Sequence, residues 1–583
     1  MNSNAEKQNL GSVSLTQNPQ QVTKAPNYAE NFITLQTTSA LPEKSSFTRL
    51  DDSSSRSLKK SSEVDIDIES DVGVSKPDPV LRRLSRHFSH HNSSSARPSF
   101  TPFSEIPGLQ SHISQDGCID WDGPDDLSNP MNMALWRKWT MTIILSMIAF
   151  CITFASSIFS TGLVSVADQF DVSREVSTLG ISLFILGFGM GPLVWGPFSE
   201  LYGRKLPIFF GFFVFCILQI PIAVAQNLET VMLIRFLGGV FGAAPLACIS
   251  GALADVFDSV DRSVALVSFT ATVFIGPAAG PIVGSFITAS YLGWRWTAWV
   301  TAIVSFFFWA VGLFIVPETY APIILQRQAK RLRHETKIWS IHSKMDEQHV
   351  TPRSMATKFL SRPIVMLVEE PILLLVTIYL ATVYGILYLF FEAFPVAFGE
   401  VRGWKPTISS LPFIALSLGI VLGGMGATWT AKVHFRAKVE SGTMTPEDRL
   451  PAMIVGGLLM PVGLFWFAWT SNPHIIWVPQ VMSTTVIGAG IMLIFIQGIT
   501  YIVDVYLIFS NSAVAANTMM RGIAASAFPL FATQMYHRLG VAWASSFLAF
   551  LTLALVPVPV GFYIYGARIR AMSKFPASGQ SVR

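Results

Sequence analysis

The chain has 583 residues, of which 51% are hydrophobic and 13% charged, and its mean hydropathy is +0.47. This composition excludes an ordinary soluble enzyme and indicates a polytopic membrane protein. The net charge of +4 is too small and too scattered to predict nucleic-acid binding. The four cysteines show no CxxC or Cys/His spacing, so we expect no disulfide framework, no metal and no cofactor.

Residues 1–130 precede the apolar part of the chain and are rich in Ser, Asn, Gln and Pro. They lack the basic start and the short apolar core of a cleavable signal peptide. Such a segment buries too little apolar surface to offset its chain entropy, so we predict a disordered cytosolic tail. Two arginines shortly before Ser85 would suit a basophilic kinase, or they form an ordinary solvated basic patch.

Beyond the tail, apolar runs long enough to cross a bilayer core of about 30 Å recur along the chain. We number them spans 1 to 12, with predicted limits 139–164, 177–198, 206–226, 231–255, 264–289, 295–316, 371–397, 409–430, 451–470, 476–499, 508–535 and 541–566. We therefore predict an all-α polytopic membrane protein with two pseudo-symmetric six-helix bundles, at 131–316 and 371–567. We expect a monomer in the lipid bilayer, with binding near the midplane between the bundles.

Residues 317–370 join the two bundles and form the most basic connection in the chain. Because Lys and Arg accumulate on the cytosolic side of membrane proteins, we predict that this loop is cytosolic. The N-terminal tail and the C-terminal tail, 568–583, then face the cytosol as well. No organelle address is apparent, so the plasma membrane is the expected location and the vacuolar membrane is the alternative.

The segment GPFSELYGRKLP, residues 196–207, connects spans 2 and 3. Its glycines allow close packing and a tight turn, and its acid and bases can pair with each other or with the end of span 4. The ion pairs of such a cluster can form in one conformation of the protein and break in another, so we predict a conformational switch. Positive-inside topology alone would explain only the two bases. The switch residues are Gly196, Glu200, Gly203, Arg204, Lys205 and Asp255.

Charged residues inside or at the end of apolar spans are costly and are functional candidates by default. The proton-coupling candidates are Arg235, Glu392, Asp504 and Arg521. Asp504 ends span 10 as Asp255 ends span 4, which supports an internal repeat. Arg235 lies toward the outer end of span 4, so snorkelling to the interface is the alternative for it. Arg521 is a possible counter-ion to Asp504 or a structural anchor.

In span 7, Tyr384, Tyr388 and Glu392 recur at i, i+4 and i+8, with Phe391 adjacent. These residues share one helix face, and an aromatic face beside one acid suits an organic cation. The alternative is an interfacial aromatic belt with Glu392 near the outer surface. We therefore take the four residues as candidates for binding the substrate.

Span 5 contains VFIGPAAGPIVGSF, in which Gly276, Gly280 and Gly284 recur every four residues. Three glycines on one face let a neighbouring helix approach closely, and Pro277 and Pro281 are expected to bend the helix. We predict a close, sliding contact, and expect the two bundles to rock against each other across this glycine-lined seam.

Several of these motifs resemble those of the major facilitator superfamily. The 196–207 loop resembles the family's signature between spans 2 and 3, and LIRFLGGVFGAAP resembles its span 4 signature with Arg235. The span 5 glycines and prolines resemble the antiporter motif of drug:proton antiporters. WDGPDDLSNPMNMALWRKW, VPETYAPIILQRQAKRLR and ANTMMRGIAASAFPLF resemble the fungal twelve-span branch that includes polyamine and cycloheximide-resistance transporters. The resemblance implies a proton-coupled antiporter that exports drugs or polyamines by alternating access.

The chain has no G-x-x-x-x-G-K-[ST] sequence, so we expect transport to be driven by a gradient rather than by ATP. The expected partners are protons and a small molecule, namely an organic cation, a drug or a polyamine. Two other functions stay open: a proton-coupled importer of an organic solute, and a non-transporting nutrient sensor with a signalling tail. None of these is an enzyme.

Overall fold

The computed structural model describes residues 117–347 and 361–575. Ser85 and most of the predicted N-terminal tail lie outside these residues, and so does half of the C-terminal tail, 576–583. Within them, the first bundle is built from the helices Leu135–Ile158, Arg174–Met190 with Pro192–Tyr202, Lys205–Val224, Leu228–Ala254, Ser259–Thr288 and Arg295–Ile315, which are spans 1 to 6. The second bundle is built from Pro371–Phe394, Pro412–Thr430, Leu450–Trp469 and Trp477–Tyr506, which are spans 7 to 10, and from Ser510–Leu555 with Pro557–Ala571, which together contain spans 11 and 12.

Eleven helical segments in the described part of the chain are long and apolar enough to cross a membrane. The last of them, Ser510–Ala571, has 62 residues and would reach about 90 Å, roughly three times the apolar core of a bilayer. It is interrupted at Gly540, whose φ of 74° and ψ of 161° are not helical. Spans 11 and 12 therefore meet at Gly540, and the predicted all-α fold of twelve spans is confirmed.

Proline marks the start of two spans. Pro371 and Pro412 are the first residues of their helices, where a missing amide donor costs nothing. Pro277 and Pro281 lie inside span 5 instead, and the helix continues through both, from Ser259 to Thr288. Neighbouring spans must therefore accommodate the backbone carbonyls that these two residues release.

The connection between the bundles contains the helices Ala321–Thr336 and Arg362–Glu369. We call the side of the membrane on which it lies the central-loop face, and the opposite side the far face. Residues from 117 onward pack on this connection: Cys118 and His342 form a parallel β-bridge, and Ile119 is buried with Ala329 and Ile341. The end of the predicted disordered tail, 117–130, is thus a packed segment, because its Ile119 has an apolar partner surface.

The two bundles meet along spans 2 and 11 and along spans 5 and 8. A methyl group on Gly189 of span 2 would lie 2.8 Å from the Cα of Gly522 in span 11, so these backbones touch. Val267 of span 5 packs against Gly424 of span 8. Residues from both bundles therefore line the central axis.

Candidate functional site

An ion pair links spans 3 and 4 at the central-loop face. Arg204 Nε donates to Asp255 Oδ2 at 3.2 Å, and Arg204 Nη1 donates to Ser199 Oγ at 2.8 Å. The guanidinium also lies 4.7 Å from the ring centroid of Tyr320. The pairing of Arg204 with Asp255 that the sequence led us to expect is therefore present, and burial raises the pKa of Asp255 to about 6 in spite of this pairing.

Glu318, just after span 6, completes this cluster and was missed in the sequence. Its carboxylate accepts hydrogen bonds from the backbone amides of Arg204 at 2.8 Å and Lys205 at 3.3 Å. Gly203 has a φ of 88°, and any side chain there would collide with the same carboxylate. The backbone amides of Arg204 and Lys205 precede the first turn of span 3 and need an acceptor. This requirement could have pointed to Glu318, which lies in the segment VPETYAPIILQRQAKRLR.

Three members of the predicted switch behave differently from expectation. Lys205 Nζ donates to the backbone carbonyl of Leu313 at 3.1 Å instead of pairing with an acid. Glu200 accepts a hydrogen bond at 2.6 Å from Asn511 at the start of span 11, and so joins the two bundles. The close-packing role assigned to Gly196 is wrong, because a Cβ added there would meet nothing within 4 Å.

The second bundle repeats the ion pair of the first. Arg449, just before span 9, donates from Nε to Asp504 Oδ2 at 3.0 Å, as Arg204 does to Asp255. Its guanidinium lies 4.3 Å from the ring centroid of Phe435. The suggestion that Arg521 is the counter-ion of Asp504 is therefore wrong. Arg449 was missed, although the internal repeat would have found it as the counterpart of Arg204.

The glycine stripe of span 5 packs against span 1, inside the first bundle. A methyl group on Gly276 would overlap Thr153, one on Gly280 would overlap Ser157, and Gly284 faces Thr161 in the same way. The expectation that this stripe forms the seam between the two bundles is wrong. Periodicity shows that glycines share a face, but it does not show which helix that face touches.

Glu392 links the bundles at the far face. Its Oε2 accepts from Arg174 Nη2 at 2.8 Å and from Thr533 Oγ1 at 3.0 Å, which joins span 7 to spans 2 and 11. Its side chain is only 2% exposed. Nearby, Ser285 and Ser410 share a hydrogen bond of 2.7 Å between spans 5 and 8. Glu392 is therefore neither on the outer surface nor available as an unpaired acid.

Arg235 is buried, with 2% exposure, so the snorkelling alternative is wrong. It donates to the backbone carbonyls of Gly180, Ala155 and Ser156 at 3.0, 2.8 and 3.2 Å. Its guanidinium also lies between the rings of Phe159 and Phe184. Arg235 thus fixes spans 1, 2 and 4 to one another while its charge stays inside the bundle.

The aromatic face of span 7 lies at the centre of the molecule, which excludes the aromatic-belt alternative. Tyr384, Tyr388 and Phe391 are each 2% exposed or less. Tyr388 forms a 2.9 Å hydrogen bond with Ser156 of span 1, and the two tyrosine hydroxyls lie 3.4 Å apart. Phe274 of span 5 packs edge-on against Tyr384. The candidate binding residues are therefore brought together where the two bundles meet.

Arg521 of span 11 contacts this aromatic group. Its guanidinium lies 4.7 Å from the ring centroid of Tyr384 and 5.1 Å from that of Phe495. The site thus contains two arginines, aromatic rings from spans 5, 7 and 10, and a paired glutamate at its far-face end. Such an arrangement can hold a small amphiphilic molecule between the bundles.

One group of metal-ligand side chains comes together among the described residues. Cys118, His342 and Glu347 place ligand atoms within 4.8 Å of one another, because the β-bridge sets Cys118 beside His342. Both ring nitrogens of His342 have partners in the protein, the carbonyl of Ser340 and the carboxylate of Glu347. These hydrogen bonds account for the cluster, which sequence spacing could not have revealed.

Comparison with known proteins places this geometry in context. A family model described as Major Facilitator Superfamily matches residues 145–529. The citrinin biosynthesis cluster MFS transporter of Monascus ruber is 52% identical over 78% of this chain and 92% of its own. The ascochitine biosynthesis cluster MFS transporter of Didymella fabae is 46% identical over 88% of this chain and 98% of its own. The cercosporin MFS transporter of Cercospora nicotianae is 43% identical over 78% of this chain and 89% of its own.

A solved structure is similar in fold. The proton:xylose symporter XylE, bound to 6-bromo-6-deoxy-D-glucose, matches with a TM-score of 0.54 and 16% identity, over 74% of this chain and 96% of that chain. Identity this low supports the helix arrangement alone and says nothing about the solute.

Proposed function

Because the chain belongs to the major facilitator superfamily, a family of membrane transporters rather than enzymes, we propose that it is a proton-coupled antiporter that exports a small organic molecule by alternating access. The observation that carries this proposal is the ion pair between Arg174 and Glu392. It joins the two bundles at the far face and contains a buried carboxylate that a proton can neutralise.

The ion pair provides a way to exchange a proton for a solute. When the far face opens, Glu392 separates from Arg174 and takes up a proton from that side. When the far face closes, Arg174 again meets the carboxylate at 2.8 Å, the ion pair forms, and the proton is displaced toward the other side. While the pair is ionised, opening requires the free energy of a bound solute, which couples the two movements.

The names of the relatives favour a small organic compound as the exported solute. Three of them are named for citrinin, ascochitine and cercosporin. A polyamine is less well supported, since it needs several acidic contacts along its length. Every Asp or Glu of the described spans other than Glu392 lies within one turn of a helix end, and Glu392 is already paired.

The positive-inside rule supports a cytosolic central-loop face, because the basic helix Ala321–Thr336 lies there. The far face is then the outer face, and both described ends of the chain lie on the cytosolic side. We propose the plasma membrane as the location, which would be tested by imaging a tagged protein beside vacuolar and plasma-membrane markers.

Flux into liposomes tests the function. The purified chain would be reconstituted with an imposed pH difference and offered radiolabelled citrinin, a neutral azole drug and spermidine. Movement of citrinin or the azole against the proton gradient, abolished by a protonophore, supports the proposal. Movement with the proton gradient would instead make the chain an importer. No flux of any of the three compounds would favour the sensor and contradict the proposal.

A further inference from the structure

Arg521 is a cation in the middle of the molecule that has no carboxylate partner in the part of the chain that the structure describes. It lies 11 positions after Ser510, the first residue of span 11, and 19 positions before the break at Gly540. Among the described residues no Asp or Glu forms an ion pair with it, and its buried Nε has no hydrogen-bond partner. The side chain is nevertheless partly exposed, although both tyrosines beside it are buried. Arg521 therefore keeps guanidinium donors without a partner inside the bundle.

The centre of the bundle has an excess of positive charge. Arg235 is the second cation there, and all its hydrogen bonds go to backbone carbonyls, which leave its charge uncompensated. Glu392, the acid of span 7, is paired with Arg174. An uncompensated charge in a bilayer interior is costly, and an anion placed between the arginines would recover part of that cost.

The surroundings of Arg521 indicate what kind of anion fits. A guanidinium offers planar, paired donors that match a carboxylate. Phe495 and Tyr384 flank the guanidinium. The ring centroid of Phe274 lies 4.6 Å from that of Phe495 and 6.0 Å from that of Tyr384. Flat aromatic surfaces of this kind favour a planar ligand. Phe274 belongs to the first bundle and Arg521 to the second, so one ligand would contact both moving parts.

A polar neighbour lies one turn away on the same helix. Asn517 is four residues before Arg521, donates from Nδ2 to Thr377 Oγ1 at 3.2 Å, and has a buried Oδ1 without a partner. Residues four apart share a helix face. The site therefore offers an acceptor for a ligand hydroxyl beside the donors for an acidic group.

We propose that Arg521 binds the acidic group of a planar aromatic or conjugated organic anion, and that such anions are the preferred substrates of this chain. This inference rests on the proposed export function and reverses the organic cation expected from the aromatic face of span 7. Glu392, the acid on which a cation would depend, is engaged at the far face, whereas Arg521 is not engaged by any described acid.

Three probes of the same shape and different charge test the proposal. Equilibrium binding of 2-naphthoate, 2-naphthamide and 2-naphthylmethylammonium to the purified full chain would be compared at one pH. We expect the anion to bind at least about tenfold more tightly than the neutral amide, and the ammonium to bind most weakly. Equal binding of the anion and the amide, or tighter binding of the ammonium, would overturn the proposal without any substituted protein.

Variants then locate the effect. Arg521→Gln should remove the preference for the anion while leaving binding of the amide within about twofold, and Arg521→Lys should keep part of the preference. Arg331→Gln is the matched control, because Arg331 is exposed and pairs only with Glu335 on the same helix. Retention of the anion preference in Arg521→Gln would contradict the assignment. Proton-driven flux without any charge preference would overturn this inference and leave the exporter proposal standing.

Discussion

Arg174 and Glu392 are 218 residues apart in the chain, yet their side chains meet at 2.8 Å and close the far face between the two bundles. The carboxylate is buried and the arginine is about one-third exposed. A second hydrogen bond, from Thr533, orients the carboxylate. Under the proposed mechanism, a proton on Glu392 would weaken a contact that both bundles share, so chemistry at one atom would move whole helices.

Neutralising this carboxylate should uncouple transport from protons. Glu392→Gln keeps the size of the side chain but removes the charge, so the proton has no acceptor and Arg174 loses its counter-ion. We expect proton-driven flux in liposomes to fall by at least about tenfold, while exchange of labelled for unlabelled solute at equal pH continues. Arg331→Gln serves as the control. Full proton-driven flux in Glu392→Gln would show that the proton is carried elsewhere.

A covalent link across the far face should arrest the cycle. Ser285 and Ser410 contribute hydroxyl oxygens 2.7 Å apart from opposite bundles. In a background without the four native cysteines, Ser285→Cys with Ser410→Cys should form a disulfide under mild oxidation. Transport should then stop and should recover on reduction, whereas each single variant should be insensitive to oxidant. A cross-linked protein that still transports would rule out opening at this position.

The glycine contact between spans 1 and 5 should be sensitive to a single methyl group. Gly280→Ala places its Cβ against Ser157 Oγ and the backbone of Ile158, and overpacking of this kind costs about 1–3 kcal/mol. Gly561→Ala in span 12 is the matched control, since its Cβ would meet nothing within 4 Å. A lower melting temperature and lower flux are expected for Gly280→Ala alone. Equal stability of the two variants would mean that span 5 can shift away from span 1.

Asp255 should titrate at a higher pH than an ordinary aspartate. Burial raises its pKa from 3.8 to about 6, so the folded protein binds this proton more tightly than the unfolded chain. The stabilising contribution of this group therefore grows as pH falls from about 6 toward 3.8 and is lost as pH rises through 6. Infrared difference spectra between pH 7.5 and 5 should show a protonated carboxyl band that is absent in Asp255→Asn. An unchanged band in that variant would assign the titration to another acid.

Much of the fold follows from the sequence, because crossing a bilayer imposes length and apolarity on each span. The spans, their division into two bundles and the expected partner of Arg204 could be predicted in this way. The boundary between spans 11 and 12 could be predicted too, since the limits 508–535 and 541–566 leave a gap that contains Gly540, where the backbone is not helical. Arg449 could have been found by applying the internal repeat to Arg204 as well as to Asp255.

The candidate site was less predictable because its contacts join distant parts of the chain. Helical spacing placed Tyr384, Tyr388 and Glu392 on one face, but it could not show that Arg174 of the other bundle neutralises Glu392. It also could not show that Arg235 turns inward to three carbonyls rather than outward to the interface. In both cases the role of the side chain depends on its partner, and sequence periodicity gives no information about that partner.

A distance measurement across the far face tests the central claim most directly. Spin labels at Tyr291 and His474, which are exposed at the far face of opposite bundles, would report its opening in a background without native cysteines. Acidification from pH 7.5 to 5 should shift the distance distribution toward longer values in the otherwise native protein, and Glu392→Gln should show the long distance at both pH values. A distribution that does not change with pH in the native protein would contradict the account.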